Sequence, residues 1–389
     1  MTKLSKTSIA IFPICLALAS CAPPKSGDSA SAADSADNPD TAIQITEMGS
    51  FDRPWAIEFA PGTGVLFVTE KEGSMKFIDT ASGRMGTVSG VPEVDYGGQG
   101  GFGDVAFLES EASAVLENRT IYLSWVEAGE GDTRGAVVGR GMLTCGEADA
   151  CAIEGLEVVW RQAPKVTGRG HYSHRITFSP DESHMFIASG DRQKLDPAQD
   201  NRNTLGTIVR LDLDGSPAAG NPFASEGGVT AEIWSTGHRN ILGLDWDMQG
   251  NLWDVEHGPA GGDELNLVMR GANYGWPRRS YGNHYNGDPI ADHSADDGFM
   301  KPAVHWTPVI APGDMLFYTG DMFADWQGDA LIAGLSSQAL VRVTIDGEAA
   351  QEAERIDFDE RIRSVAQGPD GTIWVAEDGP EGRVLRLSR

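Results

Sequence analysis

The chain has 389 residues, with 30 lysines and arginines against 57 aspartates and glutamates, so its formal net charge is −27. This charge would repel nucleic-acid phosphates and argues against a DNA- or RNA-binding role. With 40% apolar and 22% charged residues, the composition is that of a globular protein and not of a disordered one. The 48 glycines and ten tryptophans favour one large β domain with many turns over a helical membrane bundle.

The first residues have the features of a secretory signal peptide. Lys3 and Lys6 precede an apolar run, residues 9–19, that is too short to span a bilayer. The string LALASC, which ends at Cys21, resembles a bacterial lipobox, in which the cysteine is lipidated and becomes the new N-terminus. Because Ala22 and not aspartate follows, the resemblance implies a periplasmic protein anchored to the outer membrane. An ordinary signal peptide with an incidental cysteine is the alternative.

The sequence then divides into three segments. Residues 1–20 are the predicted lipoprotein signal peptide, and their removal takes away two lysines and no acid, which changes the charge to −29. Residues 21–42 are mostly Ser, Ala, Asp, Gly and Pro, cannot bury a core, and are predicted to form a flexible tether. Residues 43–389 are predicted to form the single folded domain.

Two cysteines lie in this domain, Cys145 and Cys151, six positions apart. In an oxidising compartment a local disulfide is the economical interpretation. A metal-binding pair is the alternative, but no further His or Cys lies nearby in the sequence to complete such a site. The spacing therefore predicts a disulfide.

An apolar strand, a turn with Pro, Asp or Gly, and a second strand rich in Ile, Val, Trp and Phe recur along the domain. Six copies follow one another at a spacing of roughly 45 to 70 residues. Such a repeat predicts an all-β fold, a six-bladed β-propeller with four-stranded antiparallel blades. A pair of β-sandwiches is the alternative, but it gives no reason for six similar copies. Because propellers carry function on loops at one end of the channel, polar segments beside the repeated strands are the candidate sites.

Three such segments are short. GGQGG, residues 97–101, would let the backbone approach a flat ligand closely, although an ordinary turn is the alternative. HYSHRI begins at His171, twenty positions before Asp191, so a His–Asp hydrogen bond across one hairpin would fix the imidazole tautomer and raise its basicity. GHRN, residues 237–240, places a cation and an amide at the start of a repeat.

The fourth segment, EHGPAGGDELN at residues 256–266, runs on to GANYGWP at residues 271–277. Two adjacent acids, a Gly-Pro corner that presents carbonyls, and several glycines suit the coordination of a hard cation by oxygen.

Together these strings resemble the soluble quinoprotein sugar dehydrogenases, six-bladed enzymes that depend on pyrroloquinoline quinone (PQQ) and are often called aldose sugar dehydrogenases. The resemblance runs in order from about Phe51 to Leu387 and rests on EHGPAGGDELNLV, GANYGWP, STGHRN, AQDNRNTLGTIVRLDLDG and RIRSV. It implies oxidation of an aldose at C1 to the lactone, with PQQ and Ca²⁺ as cofactors and an unidentified electron acceptor.

The resemblance also implies roles for individual residues. His171 matches the catalytic base and Asp191 the acid that orients it. Arg239 and Asn240 match residues that hold the reactive carbonyl side of the quinone, and Arg239 would stabilise the negative charge that grows there. Gln99 matches a further cofactor contact.

Arg361 and Arg363 match an Arg-x-Arg pair that grips the cofactor carboxylates. Arginines at i and i+2 lie on one face of a strand, which suits a planar ligand with several carboxylates. Some family members place a lysine against the cofactor in the segment that here reads GLSSQA, residues 334–339, which has none. The missing lysine is expected either to weaken cofactor affinity or to shift the contact to Ser336, Ser337 or Gln338.

Two metal sites follow from the same resemblance. Gly258 and Pro259 match the pair whose backbone carbonyls bind the Ca²⁺ that bridges to the cofactor. Glu264, with Asp263 and the carbonyl of Tyr274, resembles a separate structural Ca²⁺ site; a solvated acidic turn is the alternative. Since PQQ carries three carboxylates, the acidic protein must contain one basic, Ca²⁺-assisted pocket.

Two rival functions stay open. A Ca²⁺-dependent lactonase or esterase of the gluconolactonase type would have carboxylates and asparagines around a central Ca²⁺ and would lack the paired arginines. A propeller that binds a partner or a cell-wall glycan without catalysis would not need the His–Asp arrangement. The loops Arg192–Pro197 and Tyr281–Asp297 differ from the family pattern and are expected to rim the substrate mouth, so the identity of the sugar does not follow.

Overall fold

The computed structural model describes residues 42–147 and 150–389, and Ile43–Arg389 form one compact unit. The predicted signal peptide, the lipidation site Cys21 and nearly all of the predicted tether lie outside the described residues. Within the described part of the chain, no helix has the length and apolar character needed to cross a membrane.

The described residues form 24 β-strands, and their helices are short 3₁₀ turns of three to five residues. The strands are β1 (Gln44–Phe51), β2 (Pro54–Phe59), β3 (Val65–Glu70), β4 (Ser74–Asp79), β5 (Arg84–Ser89), β6 (Phe102–Phe107), β7 (Asn118–Ala128), β8 (Arg134–Glu147), β9 (Ala150–Arg161), β10 (Ser173–Phe178), β11 (His184–Ser189), β12 (Thr207–Asp212), β13 (Ile233–Thr236), β14 (Ile241–Trp246), β15 (Leu252–Glu256), β16 (Asp263–Leu267), β17 (Val304–Trp306), β18 (Pro312–Phe317), β19 (Ala330–Gly334), β20 (Ala339–Asp346), β21 (Ala349–Asp357), β22 (Ile362–Gln367), β23 (Ile373–Glu377) and β24 (Gly382–Ser388).

The strands are arranged in antiparallel meanders of four. Four sheets have the orders β10-β11-β12-β13, β14-β15-β16-β17, β18-β19-β20-β21 and β1-β24-β23-β22. The fifth has eight strands in the order β2-β3-β4-β5-β9-β8-β7-β6, two meanders joined where β5 and β9 pair in parallel. Because β1 pairs with β24, the N-terminal strand completes the C-terminal sheet. The fold is thus all-β and of propeller type, as the repeats predicted.

The first strand of each meander faces the axis of the domain. β2, β6, β10, β14, β18 and β22 each contact the next, and β22 contacts β2, so these inner strands form a closed ring. Each of them opens one of the predicted sequence repeats. The predicted disulfide is confirmed: Cys145 on β8 is bonded to Cys151 on β9.

Apolar side chains fill the spaces between neighbouring sheets. The strands β15, β19 and β23 are buried along their whole length, because sheets cover both of their faces. Trp253 packs in the cluster between the β14–β17 and β18–β21 sheets, and Trp374 packs where the last sheet meets the first. The abundant tryptophans therefore serve mainly as packing between sheets.

Arg175 connects the inner strands at the axis. Its Nη1 lies 2.8 Å from Asp104 Oδ1 on β6, and its Nη2 lies 3.3 Å from Asp314 Oδ2 on β18. Its Nε donates to the carbonyl of Leu242 on β14 at 2.7 Å, and its guanidinium lies 4.2 Å from the centroid of the Trp55 ring on β2. From its own strand, β10, Arg175 thus reaches four of the other inner strands.

Arg175 also borders a cavity of about 430 Å³ that the inner strands enclose, here called the axial cavity. Glu58, Asp104, Asp245 and Asp314 line it, and Arg175 is the only lysine or arginine among its lining residues. Burial, reinforced by repulsion between these carboxylates, raises the pKa of Asp245 and of Asp314 to about 6 and that of Glu58 well above its usual range. The axial cavity is therefore acidic.

Replacing Arg175 with Met is expected to lower the free energy of unfolding by about 3–5 kcal/mol near pH 7.5, because Asp104 and Asp314 would stay buried without a cation. Carboxyl groups with a raised pKa take up protons in the folded state before they do in the unfolded state. The loss should therefore shrink as the pH falls toward about 5. Urea denaturation of the variant at both pH values measures the effect.

Arg355→Met is the control, because it removes only a partly exposed ion pair with Glu352 on the outer strand β21 and should cost less than about 1 kcal/mol. Equal losses in the two variants, or a loss at Arg175 that does not change with pH, would contradict the axial role of Arg175.

Candidate active site

His171 and Asp191 form a buried pair at one end of the β10–β11 hairpin. His171 precedes β10 and Asp191 follows β11, so the antiparallel pairing of these strands brings the two side chains together. His171 Nδ1 lies 2.7 Å from Asp191 Oδ1. Burial raises the pKa of Asp191, but hydrogen bonds from His171, Trp276 and the Gln193 backbone outweigh it and hold the pKa below its usual value. With Asp191 ionised, His171 Nδ1 donates and its Nε2 is the acceptor.

The proton affinity of His171 suits a base. Burial lowers its pKa and the nearby Arg239 guanidinium adds to this, although the hydrogen bond with Asp191 opposes it. The imidazole is therefore neutral at pH 7 and ready to accept a proton at Nε2.

The backbone around this pair is unusual. Eleven non-glycine residues of the described chain have positive φ, and six of them are His171, Ser173, His174, Arg192, Gln193 and Leu195. Left-handed backbone costs an L-residue roughly 1–2 kcal/mol, and such strain concentrates at functional sites. The two strained segments meet at the His–Asp hydrogen bond.

Trp276 anchors Asp191 from a distant segment. Its indole Nε1 donates to Asp191 Oδ2 at 2.7 Å, and its ring lies 5.1 Å from the Arg239 guanidinium. Sequence reasoning did not single out Trp276, although GANYGWP contains it. Only the packing of this segment against the β10–β11 end shows that the indole reaches Asp191.

Arg239 and Asn240 are held by a buried glutamate. Glu256 Oε2 accepts the backbone N–H groups of Arg239, at 2.5 Å, and of Asn240, at 3.3 Å. The Arg239 guanidinium donates to the carbonyl of His257 and to the hydroxyl of Tyr285. Its Nε is buried and has no hydrogen-bond partner among the described residues. A buried donor without a partner is costly, so Arg239 Nε indicates a place for an acceptor on a ligand.

A second cavity, of about 250 Å³, lies beside these residues and is here called the basic cavity. Four predicted cofactor residues line it, together with two that were not predicted: Gln99, Asn240, Arg361, Arg363, Lys71 and Asp378. His171, Asp191 and Arg239 are not among its lining residues. They adjoin it, because Gln99 Oε1 accepts the His171 backbone N–H at 2.6 Å and Asn240 follows Arg239 in the chain.

Asp378 orients the arginine pair. Its Oδ2 lies 3.0 Å from Arg361 Nε, and its Oδ1 lies 3.1 Å from Arg363 Nη2. One carboxylate thus serves two arginines, which leaves an excess of positive charge at the wall of the cavity. The basic cavity suits an anionic ligand, whereas the acidic axial cavity does not.

The Gly258-Pro259 corner has the groups that a hard cation needs. In the described part of the chain neither carbonyl oxygen accepts a hydrogen bond. A Cβ on Gly258 would lie 2.2 Å from the carbonyl oxygen of Gly262, so only glycine fits there. The Asp263 carboxylate stabilises the corner by accepting the backbone N–H groups of Gly258 at 2.8 Å and Ala311 at 2.6 Å.

Asp263 and Glu264 were predicted to share one metal site, but the structure places them apart. They are neighbours on β16, so their side chains lie on opposite faces of the sheet. Glu264 pairs in register with Glu256 on β15, and with Tyr274 these two glutamates line a cavity of about 10 Å³, room for one water or ion. Burial and the charge of Glu256 raise the pKa of Glu264 well above its usual range. Glu256 therefore stands where Asp263 was expected.

The segment that lacks the family lysine is also placed differently from the expectation. Ser336, Ser337 and Gln338 do not line the basic cavity, and Gln338 donates instead to the carbonyl of Asp359. Leu335 is the residue of this segment that lines the cavity. The lysine that lines the basic cavity is Lys71, which lies directly after β3.

The expected rim is only partly formed by the loops that were named. Arg192 is fully buried, with its guanidinium 3.7 Å from the centroid of the Tyr172 ring, so it is not a rim residue. Leu195 and Tyr285 are exposed, and Tyr285 touches Arg239. Tyr285 is therefore an exposed loop residue that borders the site.

The profile of the family described as glucose/sorbosone dehydrogenase matches residues 51–386. The chain is 35% identical over 342 residues to aldose sugar dehydrogenase YliI of Escherichia coli, which covers 87% of this chain and 90% of the relative. It is 25% identical over 420 residues to quinoprotein glucose dehydrogenase B of Acinetobacter calcoaceticus, with 87% and 86% covered.

Solved structures agree with these matches. The soluble aldose sugar dehydrogenase of E. coli in its apo form has a TM-score of 0.82 at 34% identity, over 89% of this chain and 99% of that one. The PQQ-bound aldose sugar dehydrogenase of Streptomyces coelicolor has a TM-score of 0.72 at 26% identity, over 89% and 98%. Fold and relatives define an oxidoreductase of the sugar dehydrogenase class. The chain belongs to the glucose/sorbosone dehydrogenase family, as the resemblance in its sequence indicated.

Proposed function

We propose that the protein is a PQQ- and Ca²⁺-dependent, six-bladed aldose dehydrogenase that oxidises sugars at C1 to the lactone and passes the electrons to an unidentified acceptor. The observation that carries this proposal is the hydrogen-bonded His171–Asp191 pair beside the basic cavity. The relatives whose names include a quinoprotein and a PQQ-bound form support the choice of cofactor.

The residues of the basic cavity fit PQQ. Arg361 and Arg363 are placed to hold carboxylates, since both line the cavity and share a single acid. Arg361 lies directly before β22 and Arg363 lies on it, so the expected shared strand face is not formed. Arg239, with its unpartnered Nε, and Asn240 would hold the quinone side, and Gln99 would be a further contact.

The residues at the Gly258-Pro259 corner fit a Ca²⁺ ion that contacts the cofactor, because both carbonyl oxygens are free of hydrogen bonds within the described residues. The small cavity lined by Glu264, Glu256 and Tyr274 is the place for a second, structural Ca²⁺, which would also have Arg239 and Arg279 among its neighbours. There the ion would offset carboxylates that burial otherwise penalises.

When bound, PQQ supplies the acceptor for the hydride that leaves C1 of the sugar. His171 takes the proton of the anomeric hydroxyl at Nε2, and the sugar becomes the lactone. Asp191 holds the tautomer that exposes Nε2 and stabilises the imidazolium that forms. Trp276 keeps Asp191 in place by donating to Oδ2. Arg239 stabilises the negative charge that develops on the acceptor side.

A lactonase function has no specific support. Such an enzyme would need carboxylates around a central metal, whereas the cavity beside His171 presents cations, with Asp378 as the only acid among its described lining residues. The acidic axial cavity has carboxylates, but the His–Asp pair does not border it.

We further propose that the chain is exported and anchored through a lipid on Cys21, on the periplasmic side of the outer membrane. The signal-like segment and the lipobox-like string LALASC support this. Fractionation should recover the wild-type protein with outer membranes, whereas a Cys21→Ala variant should be absent from the outer-membrane fraction. Equal membrane recovery of both proteins would count against the anchor.

The central experiment is reconstitution of metal-free apoprotein with PQQ, Ca²⁺, an artificial electron acceptor and a panel of aldoses. We expect dehydrogenase activity that chelation abolishes and Ca²⁺ restores, because the ion completes the charge balance of the site. Dye reduction measures the rate. Full activity with PQQ alone in metal-free buffer would rule out the Ca²⁺ requirement, and no activity with any aldose would overturn the proposed reaction.

His171→Ala is expected to lower kcat by about 10²–10⁴-fold, because a positioned base contributes about that much. His184→Ala is the matched control, since His184 lies at the far end of β11 from Asp191 and should leave kcat within about twofold. Steady-state kinetics of the reconstituted variants measures both. Near wild-type turnover in His171→Ala would exclude this residue as the base.

A further inference from the structure

Lys71 is a cation in the basic cavity that has no acidic ion-pair partner in the described part of the chain. It directly follows β3, lines the cavity and is partly buried. Its Nζ donates to the carbonyl of Gly98 at 3.1 Å. No carboxylate of the described residues forms an ion pair with it. Lys76 on the next strand differs, because its Nζ lies 2.7 Å from Glu70 Oε1.

The environment of Lys71 is unfavourable for an unliganded cation. Burial lowers the pKa of Lys71, and the neighbouring arginines Arg363, Arg53 and Arg361 lower it further, while Asp378 alone acts in the opposite direction. A partly buried cation whose charged neighbours are mostly arginines is stabilised by an anion beside it. Its position therefore points to an anion that arrives from outside the chain.

The GGQGG loop holds Lys71 at this place. Gly98 supplies the carbonyl that its ammonium contacts, and Gln99, from the same loop, accepts the His171 backbone N–H. A Cβ on Gly101 would lie 2.1 Å from the carbonyl oxygen of Lys71, so this contact between loop and strand end requires glycine. The loop thus places the Lys71 ammonium in the basic cavity and the His171–Asp191 pair beside it.

Lys71 raises the net positive charge of the protein groups at the site to three, to which the proposed Ca²⁺ would add. Arg361 and Arg363 share Asp378, which leaves one net positive charge. Arg239 adds a second on the His171 side, and Lys71 adds the third. PQQ has three carboxylates, and the segment that carries a lysine in some family members presents only Leu335 here.

We propose that Lys71 binds a carboxylate of the cofactor and, with Arg361 and Arg363, forms its anion subsite. This inference rests on the proposed function, since it assumes that a flat tricarboxylate occupies the basic cavity. Lys71 supplies from the first meander the charge that the segment 334–339 does not supply.

The test is the affinity of metal-free apoprotein for PQQ in the presence of Ca²⁺, measured by calorimetry at low and at moderate salt. Lys71→Gln should raise Kd by about 10- to 100-fold at low salt, the range of a charged hydrogen bond. The ratio of its Kd to that of wild type should fall as the salt concentration rises. Lys71→Arg should keep most of the affinity. Lys301→Gln, which removes an exposed lysine, should leave Kd unchanged.

The melting temperature of the apoprotein separates binding from a structural role. The substitution breaks no ion pair among the described residues, so the apo form of Lys71→Gln should melt at the wild-type temperature or above. The increase in melting temperature on PQQ binding should be smaller than in wild type. Wild-type-like Kd in Lys71→Gln would overturn the inference and leave the proposed function standing. A weaker Kd accompanied by a lower apo melting temperature would also overturn it. Failure of wild type to bind PQQ would overturn the proposed function itself.

Discussion

The ring of inner strands depends on how Arg175 is held at the axis. Each sheet packs against its two neighbours, and contacts that cross the axis add to this apolar packing. Arg175 provides such contacts, with Asp104 and Asp314 as its acids and Leu242 and Trp55 as further partners. A guanidinium can do this because its five N–H groups lie in one plane and point in several directions.

This axial ion network separates two cavities of opposite charge. On one side the carboxylates of the inner strands stay close together, and burial pushes their pKa values upward. On the other side Arg361, Arg363 and Lys71 have only Asp378 among them. A protein of charge −27 thereby keeps a pocket for an anion. The separation matters because the nearest charges dominate the potential at a binding site, so the net charge of the protein does not determine what binds there.

The site is held by residues from several parts of the chain. Trp276 reaches Asp191 from the segment after β16, and Glu256 fixes the backbone of Arg239 and Asn240 from β15. Sequence reasoning named Gln99, Asn240, Arg361 and Arg363, which line the basic cavity, because their strings match a family pattern. It missed these supports, and it grouped Asp263 with Glu264, since adjacency in sequence says nothing about the face of a strand until the strand itself is known.

The sequence by itself determined the repeating strands, the local Cys145–Cys151 disulfide and the family, because strand periodicity, short loops and ordered motifs are local properties. It also determined that an acidic chain needs a local excess of cations to hold an anion. The family resemblance named Arg361 and Arg363 among these cations, and only the tertiary structure shows which further groups surround them. Lys71 enters the cavity and Ser336 does not, and Asp378 joins Arg361 and Arg363. Closing the ring brings together segments hundreds of residues apart, and no periodicity along the chain encodes those contacts.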